Sequence, residues 1–443
     1  MEIYTNLIKR YSGKKVLVVG LGVQGGGLGV AKFFAELGAK VTVTDLRSEM
    51  ELANSIKRLK SYPIVFHLNK HLLQDFLEAD IIFKGPSVPW NLPEIIEAEK
   101  QNIPIEMELA FFTKHCPAKI IGVTGTRGKS TTTNMIYLAL QNAKINCFLA
   151  GSLPGISTIS LLKSVTAEDW VVMEIPSWPL AAFHRHKISP HIAVFTNFYP
   201  DHLNFYKSMD DYLYDKKAIY MYQTPQDYLV AARQLQKIIG NDRPQSQVFY
   251  TDDSSFSEAS ISLPGKHNLE NANISLKVLE IVGIDKQKAE KSIVGFKGLP
   301  YRQQIVRIKD KVIFINDSTS TTPVATIKAI DTFHDKPIIL LLGGKSKNLP
   351  YGQLLEKLQG VEKIILLKGS FTDEIEPLLK KQYPDKVSLV FTDMDKAVQF
   401  AFQSAGNFEN GAYILLSPAA TSFAMFKNEF ERGDCFNEIV KKI

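Results

Sequence analysis

The sequence predicts an α/β protein of three domains, each built on a mostly parallel sheet. Three observations carry this. Apolar runs of strand length alternate with helical stretches along the chain; two such runs end in glycine clusters, at Gly20–Gly29 and Gly125–Gly128; and a third α/β pattern begins after about residue 298. A length of 443 residues fits three domains, since one domain takes about 100–200 residues. The expected divisions are 1–115, 116–297 and 298–443, with the polar, proline-bearing stretch Thr113–Pro117 as the first linker.

The first element is the run Lys15-Val-Leu-Val-Val19, which enters Gly20-Leu-Gly-Val-Gln-Gly-Gly-Gly-Leu-Gly29. A helix is expected over Val30–Leu37, stopped by Gly38, and the strand Lys40–Thr44 then leads into Asp45-Leu-Arg47. Gly20, Gly22 and Gly25 keep the spacing of a dinucleotide turn, with an acid about 20 residues further on. That turn suits NAD, FAD or any nucleotide diphosphate, and it can equally be a plain tight connection. Further alternation reaches Asp80–Phe83 and the turn Lys84-Gly-Pro-Ser-Val-Pro89.

The second cluster says more. Lys119-Ile-Ile-Gly-Val-Thr124 reads as a buried strand, Gly125-Thr-Arg-Gly-Lys-Ser130 as a glycine turn with a lysine and a hydroxyl, and Asn134–Leu140 as helix. Glycines let backbone N–H groups approach phosphate oxygens, and the helix N-terminus adds partial positive charge. Lys129 can reach the outer phosphates, and the Ser130 hydroxyl can ligate Mg²⁺. The strict pattern would place glycine at Val123, so this is a shortened phosphate loop, and ATP is the expected ligand.

Beyond it, strands are expected at Trp170–Met173 and Ile192–Thr196, each ending in polar residues. Ligands gather at the carboxyl ends of parallel strands, which makes Glu174 and the loop Asn197–Asn204 with Asp201-His202 candidates for a metal site. Each has a bland alternative, a surface carboxylate and a structural histidine. Tyr212–Tyr220 reads as helix, with Tyr212 and Lys216 four apart on one face; by charge alone Lys216 is a solvated lysine. The third pattern has strands at Val312–Ile315, Pro337–Leu342, Lys363–Leu367 and Ala412–Leu416.

Composition excludes several classes. Apolar residues make up 45% and charged residues 22% of the chain, ordinary for a globular protein with large cores. A net charge of +6 without a Lys/Arg block points to anionic small molecules rather than nucleic acid. Cys116, Cys147 and Cys435 form neither a disulfide framework nor a metal pattern. No signal peptide is visible, and no apolar run approaches the roughly 20 residues that span a bilayer. A cytoplasmic protein without membrane insertion is the expectation.

Taken in order, these motifs resemble the Mur ligases, the ATP-dependent amide-bond-forming family of peptidoglycan precursor synthesis, and within it the branch that adds D-glutamate. The resemblance covers nearly the whole chain. It rests on the shortened phosphate loop, Thr196-Asn197 with Asp201-His202, Leu263-Pro-Gly-Lys-His-Asn-Leu-Glu-Asn271, Gly298-Leu-Pro-Tyr-Arg302 and Ile315-Asn-Asp-Ser318. Leu342-Gly-Gly-Lys-Ser-Lys347, Leu416-Ser-Pro-Ala-Ala-Thr-Ser422, Phe426-Lys-Asn428 and Arg432-Gly-Asp434 complete it.

The resemblance implies a Rossmann-like UDP-binding domain, a central P-loop ATPase domain and a C-terminal Rossmann-like domain that binds the amino acid. By it, Gly22, Val23, Gln24, Asp45 and Arg47 surround the UDP group. ATP is held by Gly125, Thr126, Gly128, Lys129, Ser130 and Thr131, with Asn268 and Asn271 near adenine, Arg302 near the phosphates and Asp317 near the ribose. Two Mg²⁺ sites are implied, one on Ser130 and Glu174 and one on His202 and a carbamylated Lys216; Lys129, Glu174, His202 and Lys216 form the implied catalytic set. Thr321, Lys347 and Ser422 surround the amino acid. The implied substrates are UDP-N-acetylmuramoyl-L-alanine and D-glutamate, and a monomer is expected.

A carbamate needs the neutral amine, and with an ordinary lysine pKa of about 10.4 well under 1% is neutral at pH 7, so surroundings must favour that form. Several positions depart from the family pattern. Pro176-Ser-Trp-Pro179 stands where Ser-Ser-aromatic-Gln is usual, Ser152 replaces an asparagine, and Gly85-Pro-Ser87 reorders Ser-Pro-Gly. Thr319 and Thr322 replace lysine and asparagine, and Glu429-Phe430 inverts Phe-Glu. None touches the ATP machinery; all lie where UDP-sugar or amino acid should bind. Outside this branch, another Mur activity or an L-glutamate-adding variant fits the motifs. An NAD-dependent oxidoreductase or a non-catalytic nucleotide-binding regulator fits only part of them.

Overall fold

The computed structural model describes residues 2–22, 26–152, 157–201, 205–251, 256, 261, 263 and 265–443. It holds three sheets among those residues. The first comprises β1 (Lys15–Val19), β2 (Lys40–Asp45), β3 (Ile64–Leu68), β4 (Ile81–Lys84) and β5 (Ile105–Glu106), in the order β3-β2-β1-β4-β5. The second comprises β6 (Lys119–Thr124), β7 (Cys147–Gly151), β8 (Trp170–Glu174), β9 (Ile192–Phe195), β10 (Tyr228–Ala232) and β11 (Gln247–Thr251), in the order β11-β10-β9-β6-β8-β7. Both are parallel throughout. The third comprises β12 (Gln304–Lys309), β13 (Val312–Asn316), β14 (Ile338–Gly343), β15 (Lys363–Leu367), β16 (Val387–Phe391) and β17 (Tyr413–Leu416), in the order β12-β13-β17-β14-β15-β16. Only its edge strand β12 is antiparallel, to β13.

Chain contacts separate two compact units: residues 1–198, 210–252 and 270–293, and residues 199–209, 253–269 and 294–443. The first unit contains the first two sheets, which share one continuous core from Leu7 to Ile239. Helix Glu108–His115 belongs to that core: Leu109, Ala110, Phe111 and Phe112 are all buried, and Phe111 stacks edge-on against Phe83 at 5.1 Å. The second unit buries separate clusters on the two faces of the third sheet. Central strands such as β14 are buried at every position, which is why they read as unbroken apolar runs.

Several boundaries differ from the sequence expectation. The helix expected over Tyr212–Tyr220 runs Met209–Lys217, and the one expected over Asn134–Leu140 runs Lys129–Asn142. Two further differences have a clear physical cause. Thr113, Lys114 and His115 form the last turn of helix Glu108–His115 rather than a linker. The apolar anchor upstream holds that turn, Lys114 pairs with the buried Glu106, and basic residues suit a helix C-terminus. The helix after the first glycine cluster starts at Gly26, not Val30, and runs to Glu36. A glycine-rich first turn is weak by propensity. A Cβ at Gly27 would collide with the Gly20 carbonyl, however, so the helix can pack on the turn only where no side chain intervenes.

Candidate active site

The glycine loop between β6 and helix Lys129–Asn142 is held from the end of β9. Thr126 N–H donates to the Asn197 carbonyl at 3.0 Å, and Arg127 N–H donates to Asn197 Oδ1 at 2.8 Å. The Arg127 carbonyl accepts from Thr196 Oγ1 at 2.5 Å and from Asn197 Nδ2 at 3.1 Å. Gly128 is the N-cap of the helix, at φ 80°, and caps it with no side chain. The first-turn N–H groups therefore face the loop, where an anionic oxygen is favoured. Lys129 Nζ curls back to the carbonyls of Gly125 and Thr126, each at 3.0 Å. Ser130 is buried and Thr131 half-buried on the same turn.

Asn271, on helix Lys266–Val282, supports this loop from behind: its Oδ1 accepts from Thr132 Oγ1 at 3.2 Å. A Cβ on Gly128 would collide with the same oxygen. Gly128→Ala is therefore expected to lose about 1–3 kcal/mol from the left-handed backbone alone, with Asn271 displaced in addition. Urea denaturation would read the first effect and nucleotide titration the second. Asn268 is also buried, its N–H donating to the Gly265 carbonyl at 2.9 Å.

Glu174 closes β8, paired in register with Val123 of β6, so it stands at the same carboxyl edge as the loop. It is buried, and its Oε2 has no hydrogen-bond partner among the described residues. An unpaired buried carboxylate oxygen is costly. With a hydroxyl such as Ser130 at the head of helix Lys129–Asn142, the donor set fits a hard cation such as Mg²⁺.

Helix Met209–Lys217 brings Tyr212 and Lys216 to the loop, both 1% exposed. Lys216 Nζ donates to the Gly125 carbonyl at 2.9 Å and lies 3.5 Å from Thr124 Oγ1. The Tyr212 ring is 4.9 Å from that ammonium, and its hydroxyl is 3.3 Å from Thr126 Oγ1. The bland reading of Lys216 as a solvated lysine is thereby removed. His202 lies outside the described residues, as do Val23 and Gln24.

In the first sheet, Asp45 accepts from Leu21 N–H at 2.9 Å and from Arg47 through N–H, Nε and Nη2 at 3.0, 3.1 and 2.8 Å. Burial pushes its carboxyl upward, but the Arg47 contacts outweigh that and hold it below the usual aspartate value. Gly22 accepts from Ser55 Oγ at 3.1 Å.

The second unit gathers the remaining candidates at the carboxyl edge of the third sheet. Asp317 is buried and accepts from Ser417 Oγ at 2.8 Å and Gln303 N–H at 3.2 Å. Burial raises its pKa to about 6, against the opposing pull of Ser320, Ser417 and the Arg302 charge. Lys347 Nζ donates to Thr321 Oγ1 at 3.2 Å and lies 3.7 Å from the Asp201 carboxylate. Lys345 and Thr421 bridge their two loops through paired backbone hydrogen bonds of 2.9 and 3.0 Å. Just beyond, Ser422 Oγ is buried with no hydrogen-bond partner among the described residues.

Family models match the chain in three consecutive stretches: "Mur ligase MurD-like, N-terminal domain" over 14–106, "Mur ligase middle domain" over 123–239 and "Mur ligase, glutamate ligase domain" over 301–420. A protein of Roseiflexus sp. named UDP-N-acetylmuramoylalanine–D-glutamate ligase is 35% identical, covering 97% of this chain and 99% of its own. The chain belongs to the Mur ligase family. A relative of the same name from Acetivibrio thermocellus is 32% identical over 98% of both chains. Among solved structures, the Mur ligase fold recurs in the UDP-N-acetylmuramate–alanine ligase of Thermotoga maritima. Its TM-score is 0.63 at 20% identity, covering 97% of this chain and 99% of that one. It recurs in the MurF ligase of the same organism, solved in complex with ADP, with TM-score 0.58 at 19% identity over 98% and 96%.

Within this Mur ligase fold, sequence reasoning gave no role to Thr196, Asn197 or Arg432. Asn197 carries the signal that singled out Glu174, a polar residue directly after a buried strand. Arg432, 1% exposed, binds Ser318 through Nε to Oγ at 3.0 Å and Nη2 to the carbonyl at 2.7 Å. It also reaches the Ala420 carbonyl at 3.2 Å, joining the loops after β13 and β17. Nothing local in the sequence marks an arginine as buried.

Proposed function

We propose that this chain is an ATP-dependent ligase that joins D-glutamate to UDP-N-acetylmuramoyl-L-alanine in peptidoglycan precursor synthesis, acting in the cytoplasm. The observation that carries the reading is the convergence of Lys129, Lys216 and the clamped glycine loop at the edge where Glu174 ends β8. The division at residues 115 and 297 is part of this proposal, with nucleotide-sugar, ATP and amino acid assigned to successive domains.

Charge dictates the mechanism. The substrate carboxylate attacks the γ-phosphorus of ATP, the bond to the β–γ bridging oxygen breaks, and ADP leaves an acyl phosphate. The amino group of glutamate then attacks the acyl carbon, passes through a tetrahedral intermediate, loses a proton and expels phosphate. Two anions meet in the first step, so the first-turn N–H groups and Lys129 offset the charge spread over the transferring group. Mg²⁺, when bound, would supply further electrostatic stabilisation; Ser130 and Glu174 would hold one ion, His202 and a carbamate on Lys216 a second. Arg302 and Asp317 would hold nucleotide phosphates and ribose, Asn268 and Asn271 the adenine side. Gly22, Val23, Gln24, Asp45 and Arg47 would surround the UDP group.

Lys347, Thr321 and Ser422 form the proposed glutamate site: an ammonium for the side-chain carboxylate and two hydroxyls for the rest. ADP release with UDP-N-acetylmuramoyl-L-alanine and each of D-Glu, L-Glu, L-Lys, diaminopimelate and L-Ala tests the substrate. Preference for a non-glutamate overturns it, and preference for L-Glu overturns its stereochemistry. Lys347→Ala is expected to raise KM for glutamate tenfold or more, with KM for ATP nearly unchanged, the mark of lost ground-state binding.

A further inference from the structure

Lys84 is a buried lysine that the proposed mechanism does not use. It ends β4, beside Val19 at the end of β1, and is 4% exposed. Its Nζ has the Met107 thioether at 3.7 Å and the Trp90 ring centroid at 4.4 Å. No oxygen acceptor serves it among the described residues, although a buried ammonium without one is costly. Trp90 also carries the Arg185 guanidinium, 3.9 Å from the ring centroid.

The charged groups around Lys84 do not neutralise it. Arg185, on helix Ser177–His186, repels it; Asp215, on helix Met209–Lys217, attracts it more weakly. Glu106 on β5 is engaged by Lys114 and by His186 at 2.9 Å. Burial and then Arg185 lower the Lys84 pKa to about 7.

The place is informative as well. In the order β3-β2-β1-β4-β5 the succession of strands reverses between β1 and β4, and an open parallel sheet receives its ligand at such a switch point. Gly85 N–H is bonded to the Val19 carbonyl at 2.8 Å, which fixes the backbone next to Lys84 against the start of the glycine turn.

We propose that Lys84 is a phosphate-contacting residue of the nucleotide-sugar site, donating from its ammonium to an oxygen of the substrate diphosphate between the carboxyl ends of β1 and β4. The inference rests on the acceptor substrate proposed above and adds a residue absent from the UDP set read from sequence. The anion supplies the missing acceptor, and its charge draws a proton onto Lys84.

Calorimetric titration of the whole protein with UDP, and with UDP-N-acetylmuramoyl-L-alanine, in two buffers of different ionisation enthalpy at pH 7.5 tests this. The wild type is expected to take up a substantial fraction of a proton with either ligand. Lys84→Met should weaken both ligands tenfold or more and abolish the uptake; Lys84→Arg should retain more affinity than Lys84→Met and also show no uptake. Unchanged UDP affinity in a folded Lys84→Met protein would overturn the proposal. Weakening of the full substrate alone would overturn it too, by moving the anion to the acceptor carboxylate. Wild-type ADP release with glutamate, measured separately, tells failure of the ligase reading from failure of this one.

Discussion

Lys129→Ala is expected to abolish ligation, lowering kcat by at least about 10²–10³-fold, the usual cost of removing one donor aimed at developing charge. Binding of UDP-N-acetylmuramoyl-L-alanine should stay nearly unchanged, because its proposed contacts lie on the first sheet and Lys129 opens the helix after β6. Lys216 Nζ also reaches the Gly125 carbonyl, but as the carbamate proposed above it would be anionic and would not replace the lost charge. Lys129 Nζ is held over the loop by the carbonyls of Gly125 and Thr126. In the proposed mechanism those contacts would keep the amine close to the transferring phosphoryl group, so its removal would take away a charge already in position. Lys129→Arg should recover little, since a planar fork does not replace a compact ammonium in a turn this tight. ADP release and a direct titration of the UDP-substrate separate the two effects. Near-wild-type turnover in the alanine variant would end the phosphate-loop assignment.

Much of the fold and of the candidate site was legible because buried parallel strands write themselves as apolar runs, and the candidate residues lie just past the ends of such runs. Glu174 after Trp170–Met173 and the glycine turn after Lys119–Thr124 were both found this way. Edge strands were not. β12 and β16 expose Ile305, Ile308 and Leu389, so they present neither a continuous run nor a clean alternation. The helix start at Gly26 was hidden because close backbone packing overruled propensity there.

Side-chain partnerships were the least legible. Asn271, read by resemblance as an adenine contact, is seen bracing the loop through Thr132. That role depends on a residue 139 positions away in sequence, and no local pattern encodes such a pair. The Glu429-Phe430 inversion likewise gains its meaning from packing. Phe430 meets the Tyr301 ring edge-on at 5.9 Å, while the Glu429 carbonyl accepts from Ser318 Oγ at 2.7 Å. The altered pair thus packs against Tyr301 and Ser318, the sequence neighbours of Arg302 and Asp317, rather than standing clear of the residues assigned to ATP as the sequence suggests.

Lys216→Ala is expected to be nearly inactive, and small carboxylates such as acetate should restore part of the activity by supplying oxygens where a carbamate would place them. At 1% exposure a bare ammonium is poorly solvated, which favours conversion of the amine to a carbamate that can share its charge with a cation. The bond to the Gly125 carbonyl at 2.9 Å is compatible with that change, because a carbamate nitrogen keeps one N–H to donate. Lys217 is the internal control. It lies about 100° further round the helix, and its Nζ pairs with Asp242 Oδ1 at 2.7 Å, away from the loop. Lys217→Ala should therefore cost roughly 0.5–1 kcal/mol of stability and little activity. Turnover in the presence and absence of acetate, with urea denaturation of both variants, separates the two lysines. Incorporation of isotopically labelled CO₂ into the wild type, lost in Lys216→Ala and kept in Lys217→Ala, would locate the carbamate. Equal loss of activity in both variants, or full activity in Lys216→Ala, would reject it.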